Sequence, residues 1–297
     1  MRKLIPALLC LGIAGPVRAQ PPTREGLRAN LGKRIESIIG GVDGVVGVSI
    51  RDLVGGETIT VNGDMVFTQA SSIKLPILVE LFRQAEEGDL DLDQTVSLSE
   101  EDITPGSGVL QDLTPGRVTM TLRDVATLMV TVSDNSATNI IIDRVGMENV
   151  NGTMARLGLS QTKLQRKMMD LEAVVADREN LSTPNEQAGL LRMLYEGEIL
   201  NDTSRDEIFR ILSIPKPGHI RRLLPSDVPI AHKTGGVPGV VVDVGIVFLP
   251  ERPFIVSAMA NWLLDEDAGS LAIAEVSLVA YQYFERLASS NSYGHRK

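Results

Sequence analysis

Hydrophobic and polar positions divide the chain into stretches of different period. Between Gln20 and Gly44, residues Leu27, Leu31, Ile35, Ile38 and Ile39 fall on one stripe at helical spacing. "VVGVSIRDL" (Val45 to Leu53) then alternates like a strand, "GGE" turns it, and "TITVN" returns, which predicts a hairpin. From Ser71 the period becomes helical in "SSIKLPILVELFRQAEEG", with Gly88 as C-cap and Pro76 expected to kink the helix near its start. The middle third, about Leu122 to Leu194, reads as helices joined by polar loops, with helical periodicity on both sides of "SDN". In the last third, "VPIAHKTGG", "GVVVDVGIVFLP" and "PFIVSAMANW" are strand-like runs separated by short Gly/Pro turns. "GSLAIAEVSLVAYQYFERLA" closes the chain as a long amphipathic helix.

Strands at both ends with helices between them predict an α+β fold. An antiparallel sheet carries the terminal helices and a helical subdomain is inserted in it. The α/β part is expected over about 20–70 and 210–297, and the helical subdomain over about 71–209. No repeat or linker divides residues 20–297 into independent domains. Residues 1–19 stand apart. Arg2 and Lys3 form a basic start, Leu4 to Ala14 is an apolar run too short to span a bilayer, and Val17-Arg18-Ala19 has small residues where a signal peptidase reads. This predicts a signal peptide cut after Ala19 and a periplasmic or secreted protein.

Export alters the chemistry available. Cys10 is the only cysteine and leaves with the signal, so the mature chain has no disulfide, thiolate metal site or thiol nucleophile. The formal charge is −9, and losing Arg2, Lys3 and Arg18 takes it to −12, which argues against nucleic acid as a partner. No later run is long and apolar enough for a membrane helix, so no membrane anchor is expected.

A serine hydroxyl needs a base within hydrogen-bond reach to act as a nucleophile. The histidines are His219, His232 and His295, and no Gly-x-Ser-x-Gly elbow is present. A Ser-His-Asp triad is therefore disfavoured, with His232 left open at this stage. Lysine can replace histidine if it is neutral when it acts, and burial or a nearby cation makes it so. Three serines have a lysine three residues on, the spacing of one helix face: Ser71 with Lys74, Ser160 with Lys163, and Ser213 with Lys216. "SDN" (Ser133-Asp134-Asn135) and "KTG" (Lys233-Thr234-Gly235) each occur once, and Gly236 follows. Ser160 and Ser213 come after "SDN", and Pro215 breaks any helix between Ser213 and Lys216. Only Ser71 begins the ordered series Ser-x-x-Lys, Ser-Asp-Asn, Lys-Thr-Gly.

That series resembles the signature of class A β-lactamases and their relatives among serine D-alanyl-D-alanine peptidases. "FTQASSIKLPIL", "TVSDNSATNIII", "LSTP" and "IAHKTGG" match the family's landmarks from about Arg34 to the final helix. The resemblance implies a five-stranded antiparallel sheet flanked by helices, beside an all-helical subdomain with the site between them. It implies that Ser71 attacks the acyl carbon and Lys74 assists its deprotonation. Ser133, helped by Lys233, passes a proton to the leaving nitrogen. Asn135 holds the substrate's side-chain amide, Lys233 and Thr234 bind its carboxylate within the Lys233-Thr234-Gly235 motif, and the N–H groups of Ser71 and Gly236 form an oxyanion hole. No metal and no cofactor are implied. The partner is a small β-lactam or D-Ala-D-Ala peptide, met by a monomer.

The family's deacylating glutamate has no clear counterpart. Anchoring the loop Leu164–Pro184 on Arg166 and Leu171 puts Met168 at its position and Glu172 where a water-holding asparagine stands, while anchoring on Thr183-Pro184 puts Lys167 there. Neither Met168 nor Lys167 can act as a base in that role, so Glu172, with Asp170 beside it, is the expected deacylation base. The aspartate that pairs with an arginine like Arg166 is replaced by Asn180, with Asp177 and Glu179 nearby. The arginine often found on the strand after "KTG" is missing, and Arg221 and Arg222 are the expected substitutes. The leading expectation is a serine β-lactamase; the alternatives are a D-alanyl-D-alanine peptidase or penicillin-binding protein with slow deacylation, and a non-catalytic binder that stays acylated.

Overall fold

A computed structural model describes residues 22–297; the expected signal segment and Cys10 lie outside them. The chain begins with α1 (Pro22–Ile39), β1 (Val45–Asp52), β2 (Thr58–Val61) and β3 (Phe67–Thr68), then α2 (Lys74–Glu87), β4 (Thr95–Ser97) and β5 (Thr119–Thr121). Helices α3 (Leu122–Thr131), α4 (Asn135–Val145), α5 (Met147–Arg156) and α6 (Leu171–Val175) follow, then β6 (Leu181–Ser182), α7 (Pro184–Tyr195) and α8 (Asp202–Ser213). The hairpins β7 (Ile230–Val237), β8 (Val240–Val247) and β9 (Phe254–Asn261) lead into α9 (Glu266–Ser289).

One five-stranded sheet has the order β2-β1-β9-β8-β7, antiparallel throughout. The ends of the chain thus meet in its middle, where β1 pairs with β9 from Val45↔Asn261 to Asp52↔Phe254. The sequence of β8, "VVVDVGIV", is apolar at nearly every position because both faces of the sheet are covered. On one face α1 and α9 pack together, with Leu31, Ile35, Ile273 and Phe284 buried against Val48, Ile50 and Phe254. Phe254 and Phe284 stack with ring centroids 4.5 Å apart. On the other face a second core joins Ala231, Val244, Ile246 and Ile255 to α2, α3, α4, α7 and α8. Among the described residues no helix is long and apolar enough to cross a membrane.

The α+β architecture agrees with the expected fold, and not every helix of the stretch 71–209 lies apart from the sheet. Helix α7 lies within the stretch read as the helical subdomain, yet it packs on β1, β8 and β9. Two small antiparallel pairs, β3 with β6 and β4 with β5, complete the strand pairing. Pro76 sits in the first turn of α2, where its missing N–H has no intrahelical partner to lose, and α2 runs unbroken to Glu87. Gly88 ends that helix in the left-handed conformation, φ 82°, its N–H donating to the Ala85 carbonyl.

Candidate active site

Ser71 lies in a 3-10 turn, Ala70–Ile73, which runs directly into α2. The turn is pinned on both sides. Buried Gln69 donates its backbone N–H to Asn180 O (2.9 Å) and Nε2 to Leu181 O (2.7 Å), and accepts at Oε1 from Gln187 Nε2 (2.5 Å). Ala70 has φ 43°, a strained conformation for a residue with a Cβ. On the other side β7, an edge strand of the sheet, presses against the turn. A Cβ on Gly235 would stand 2.8 Å from Gln69 O and Ser71 N, so only glycine lets the strand come this close. The Ser71 hydroxyl has no protein hydrogen-bond partner among the described residues and faces a cleft of about 770 Å³.

Lys74 is fully buried on the first turn of α2. Its Nζ donates to Ser133 O at 2.7 Å, Ser133 Oγ at 3.0 Å and Asn135 Oδ1 at 3.1 Å. Lys233, buried on β7, donates to the same Ser133 Oγ at 3.1 Å and to Thr234 O at 2.8 Å. Ser133 holds φ 54° between α3 and α4, and this left-handed backbone aims its hydroxyl between the two lysines. Asp134 explains how the loop keeps that shape: Oδ1 caps α4 at Ala137 N (2.9 Å), and Oδ2 accepts from Val109 N (2.7 Å) and Leu110 N (2.8 Å). Asn135 donates Nδ2 to Pro105 O at 2.9 Å, which leaves its second amide hydrogen for a ligand in the cleft it lines.

Burial, and then the charge of Lys233, hold the Lys74 amine well below the usual lysine range, against a smaller opposing pull from Asp134. Burial, and then the charge of Lys216, bring Lys233 down to about 7, with Asp243 opposing. Lys216 itself sits at about 8, lowered mainly by burial. It follows α8, and its Nζ donates to Leu212 O (2.5 Å) and Ile214 O (3.2 Å). Lowering the Lys74 amine makes its neutral form easier to reach, and a neutral amine can take a proton from a serine hydroxyl, which an ammonium cannot.

The motif residues therefore come together: Ser71, Lys74, Ser133, Asn135, Lys233, Thr234, Gly235 and Gly236 converge from the start of α2, the α3–α4 loop and β7. Glu172 does not join them. It is exposed on α6, and it is not among the residues lining the cleft, whereas Leu171 and Val174 of the same short helix are. Asp170 caps α6 through Ala173 N (2.9 Å) and is exposed. Lys167 pairs with Asp143. Met168 is buried at the cleft wall, its backbone held from both sides by the Asn139 amide (2.8 and 3.2 Å).

Two further expectations change. Arg221 is spent on the carbonyl of Val228 (3.0 Å) and Arg222 on Asp267 (2.9 Å), so neither stands in for the missing strand arginine, and the cation coupled to Lys233 is Lys216. The arginine brace uses Glu179, 3.0 Å from Arg166, while Asn180 fills the aspartate's place with backbone bonds from Gln165 N (2.8 Å) and Arg166 N (3.2 Å). His232 is buried with Nδ1 3.0 Å from Asp243 Oδ1, and successive side chains on a strand point to opposite faces. With Lys233 turned to Ser133, His232 is turned away, and the histidine alternative closes. Sequence reading missed Gln69 and Asp243 and set Lys216 aside with Ser213; of the two missed, only Asp243, a lone charge within an apolar strand, carried a signal.

A larger cavity of about 870 Å³ lies at the end of α9, but none of the motif residues lines it. Of the motif residues, Ser71, Asn135 and Gly236 line the cleft of about 770 Å³.

Residues 30–284 match the family described as "Beta-lactamase enzyme family". Beta-lactamase SME-1 of Serratia marcescens is 30% identical over 259 residues, covering 84% of this chain and 87% of the relative. A β-lactamase structure from Sphaerobacter thermophilus has a TM-score of 0.80 at 32% identity, covering 86% of this chain and 97% of that one. PBP-A has a TM-score of 0.79 at 33% identity, covering 86% and 96%, and a leucine-to-glutamate variant of it has been solved as an acyl-enzyme complex with penicillin G. The chain therefore belongs to the Beta-lactamase enzyme family and is a class A β-lactamase-like serine hydrolase.

Proposed function

We propose that the protein is an exported active-site serine hydrolase that opens β-lactam rings through an acyl-Ser71 intermediate and releases the acyl group slowly. The convergence of Lys74 and Lys233 on the Ser133 hydroxyl, beside a Ser71 that opens to the cleft, carries this reading. Ser71 Oγ attacks the carbonyl carbon as its proton passes to neutral Lys74. The oxygen's developing charge meets the N–H groups of Ser71 and Gly236, a kind of donor typically worth about 3–4 kcal/mol. The carbon–nitrogen bond then breaks, and Ser133, held between the lysines, protonates the leaving nitrogen. Asn135 holds the acyl-side amide, and Lys233 with Thr234 meets the carboxylate. Water must then free Ser71.

Slow release rests on the cleft wall. Met168 has no basic atom, and the carboxylates of Asp170 and Glu172 lie outside the cleft. Glu179 lines it but is committed to Arg166. A missing general base commonly costs about 10²–10⁴-fold in rate. This favours a second reading in the same family, a D-alanyl-D-alanine peptidase or penicillin-binding protein that β-lactams inhibit by slow turnover. Likeness to PBP-A supports it.

The test is to mix the purified protein with benzylpenicillin and follow intact mass against time. An adduct that persists while product stays near stoichiometric supports slow release, and cleavage of a D-Ala-D-Ala peptide then selects the peptidase. A transient adduct with product accumulation selects an efficient β-lactamase. No adduct with wild type, or the same adduct on Ser71→Ala, refutes acylation at Ser71.

A further inference from the structure

The cavity of about 870 Å³ at the end of α9 is built from three separate segments: the start of α1, the turn before β9, and the last turn of α9 with the tail that follows it. Five cations line it, Arg24, Arg252, Arg286, Arg296 and Lys297, and no aspartate or glutamate does. In a chain with 38 acidic against 29 basic residues, such a wall runs against composition. The tail is held in place. Ser290 pairs with Arg296 in an antiparallel bridge, Lys297 N donates to Ser289 O (2.9 Å), and Asn291 N donates to His295 O (2.9 Å). This fold-back puts Arg296 and Lys297 on the same hollow as Arg286.

The carboxylates nearest the wall do not neutralise it. Asp52 accepts from Arg252 Nη2 and from Val54 N (3.0 Å), while Glu57 pairs with Arg28 (2.6 Å) and accepts from the Tyr283 hydroxyl (2.9 Å). Arg24 stands further off, 3.8 Å from Glu57 and 4.0 Å from Asp52. Its Nε and Nη2 are shut away from water without a hydrogen bond, and so is Arg252 Nε. Charge held away from water is screened little. Arg286, Arg296 and Lys297 have no carboxylate partner among the described residues, and residues 1–21 contain no aspartate or glutamate to supply one. With Arg28, Asp52, Glu57 and the terminal carboxylate included, six cations face three anions. Like charges gathered around one hollow repel each other, a cost that an anion bound among them removes.

We propose that this cavity is an anion-binding site, separate from the cleft over Ser71, that takes a small ligand carrying two or more clustered phosphate groups. Guanidinium forks match phosphate oxygens in pairs. The volume falls in the range of small-molecule sites, and a single phosphate does not span cations drawn from three segments. Arg286 and Arg296 turn their unpaired forks on the ligand, while Arg24 and Arg252 supply the positive field behind them. Binding here needs no acyl transfer through Ser71.

Calorimetric titration of the full chain with pyrophosphate at low ionic strength tests it, with inorganic phosphate for comparison. Pyrophosphate is expected to bind about tenfold or more tightly than phosphate, and to weaken as salt is added. Arg286→Gln and Arg296→Gln should each weaken pyrophosphate about tenfold, the scale of a hydrogen bond to a charged group. The melting temperature of the free protein should hold in both, since neither side chain has an ion-pair partner among the described residues. Arg117→Gln, at an exposed cation in the loop before β5, and Lys233→Met, in the catalytic site, should bind as wild type does. A rise in the wild-type melting temperature on adding pyrophosphate checks the same binding without any variant. No binding at millimolar pyrophosphate, equal affinities for Arg286→Gln and Arg117→Gln, or a loss confined to Lys233→Met would overturn the proposal. So would sedimentation with phosphatidylglycerol vesicles in the absence of pyrophosphate binding, which would make the basic wall a membrane-facing patch.

Discussion

Lys74 and Lys233 donate to one acceptor, the hydroxyl oxygen of Ser133, at 3.0 and 3.1 Å. A hydroxyl oxygen has two lone pairs, so both bonds can form together and the hydroxyl hydrogen stays free to move. The charge of Lys233, next to burial, makes Lys74 give up its proton more readily. The Ser133 oxygen is thus the acceptor the two lysines share.

Removing that acceptor should disable acylation without unfolding the protein. Ser133→Gly deletes the hydroxyl and relieves the strain of φ 54°, so the melting temperature should hold. The rate of adduct formation should fall about 10²–10⁴-fold, the usual worth of a group that transfers a proton. A variant that acylates at the wild-type rate would exclude Ser133 from the proton path.

The pH dependence of acylation follows from the two lysines. The rate should rise as Lys74 loses its proton and fall as Lys233, held at about 7, loses the charge that meets the substrate carboxylate. Lys216→Met removes a cation that lowers Lys233, so the alkaline limb should shift upward. An alkaline limb that stays in place would separate Lys216 from the site. Stability should carry the same signature. The unfolded chain keeps Lys233 protonated up to the ordinary 10.5, while the folded chain releases that proton near 7. Between these values the unfolded state binds more protons, so stability should rise with pH across this window and be lost as pH falls toward 7. Thermal melts of Lys233→Met should show a flatter rise than wild type.

Much of this arrangement was legible from residue order. The strand runs near β1, β2, β7, β8 and β9 and the break at "SDN" needed only periodicity. Ser71 and Lys74 needed the other two motifs to separate them from the pairs at Ser160 and Ser213. What escaped was set by contacts distant in sequence. Gln69 ties the nucleophile turn to residues more than a hundred positions away, which no local pattern announces. Glu172 stands outside the cleft for a geometric reason. Met168 precedes the Asp170 cap, so helical phase does not carry from one to the other, and α6 turns Leu171 and Val174, not Glu172, into the cleft.

Gly235 should be the least replaceable glycine of the site. A methyl group there would press on Gln69 O and Ser71 N at 2.8 Å and on Ser72 N at 2.9 Å, all backbone atoms. Either β7 or the nucleophile turn must move, at a cost of about 1–3 kcal/mol. Gly235→Ala should lower the melting temperature and abolish acylation. Gly236 gives the contrast: its Cβ would meet Val240 O at an ordinary 3.7 Å, so Gly236→Ala should change stability by less than about 0.5 kcal/mol. Equal melting temperatures for the two variants would mean the strand does not need this close approach.

Release of the acyl group separates Met168 from Glu172. With Glu172 exposed and outside the cleft, Glu172→Gln should leave the lifetime of the benzylpenicillin adduct unchanged. A lengthened lifetime would restore Glu172 as the base. Met168 offers the opposite experiment, because it is buried at the wall and its backbone is fixed by Asn139. Met168→Glu places a carboxylate in the cleft on a backbone already held in position. It should shorten the adduct lifetime about 10²-fold or more, the gain from a positioned general base. Burying a carboxyl there should also lower the melting temperature, since the new group must either lose water or take up a proton. Faster release with lower stability would identify the missing base as the cause of slow turnover. A variant that folds, acylates and still holds its adduct as long as wild type would locate the obstacle in water access.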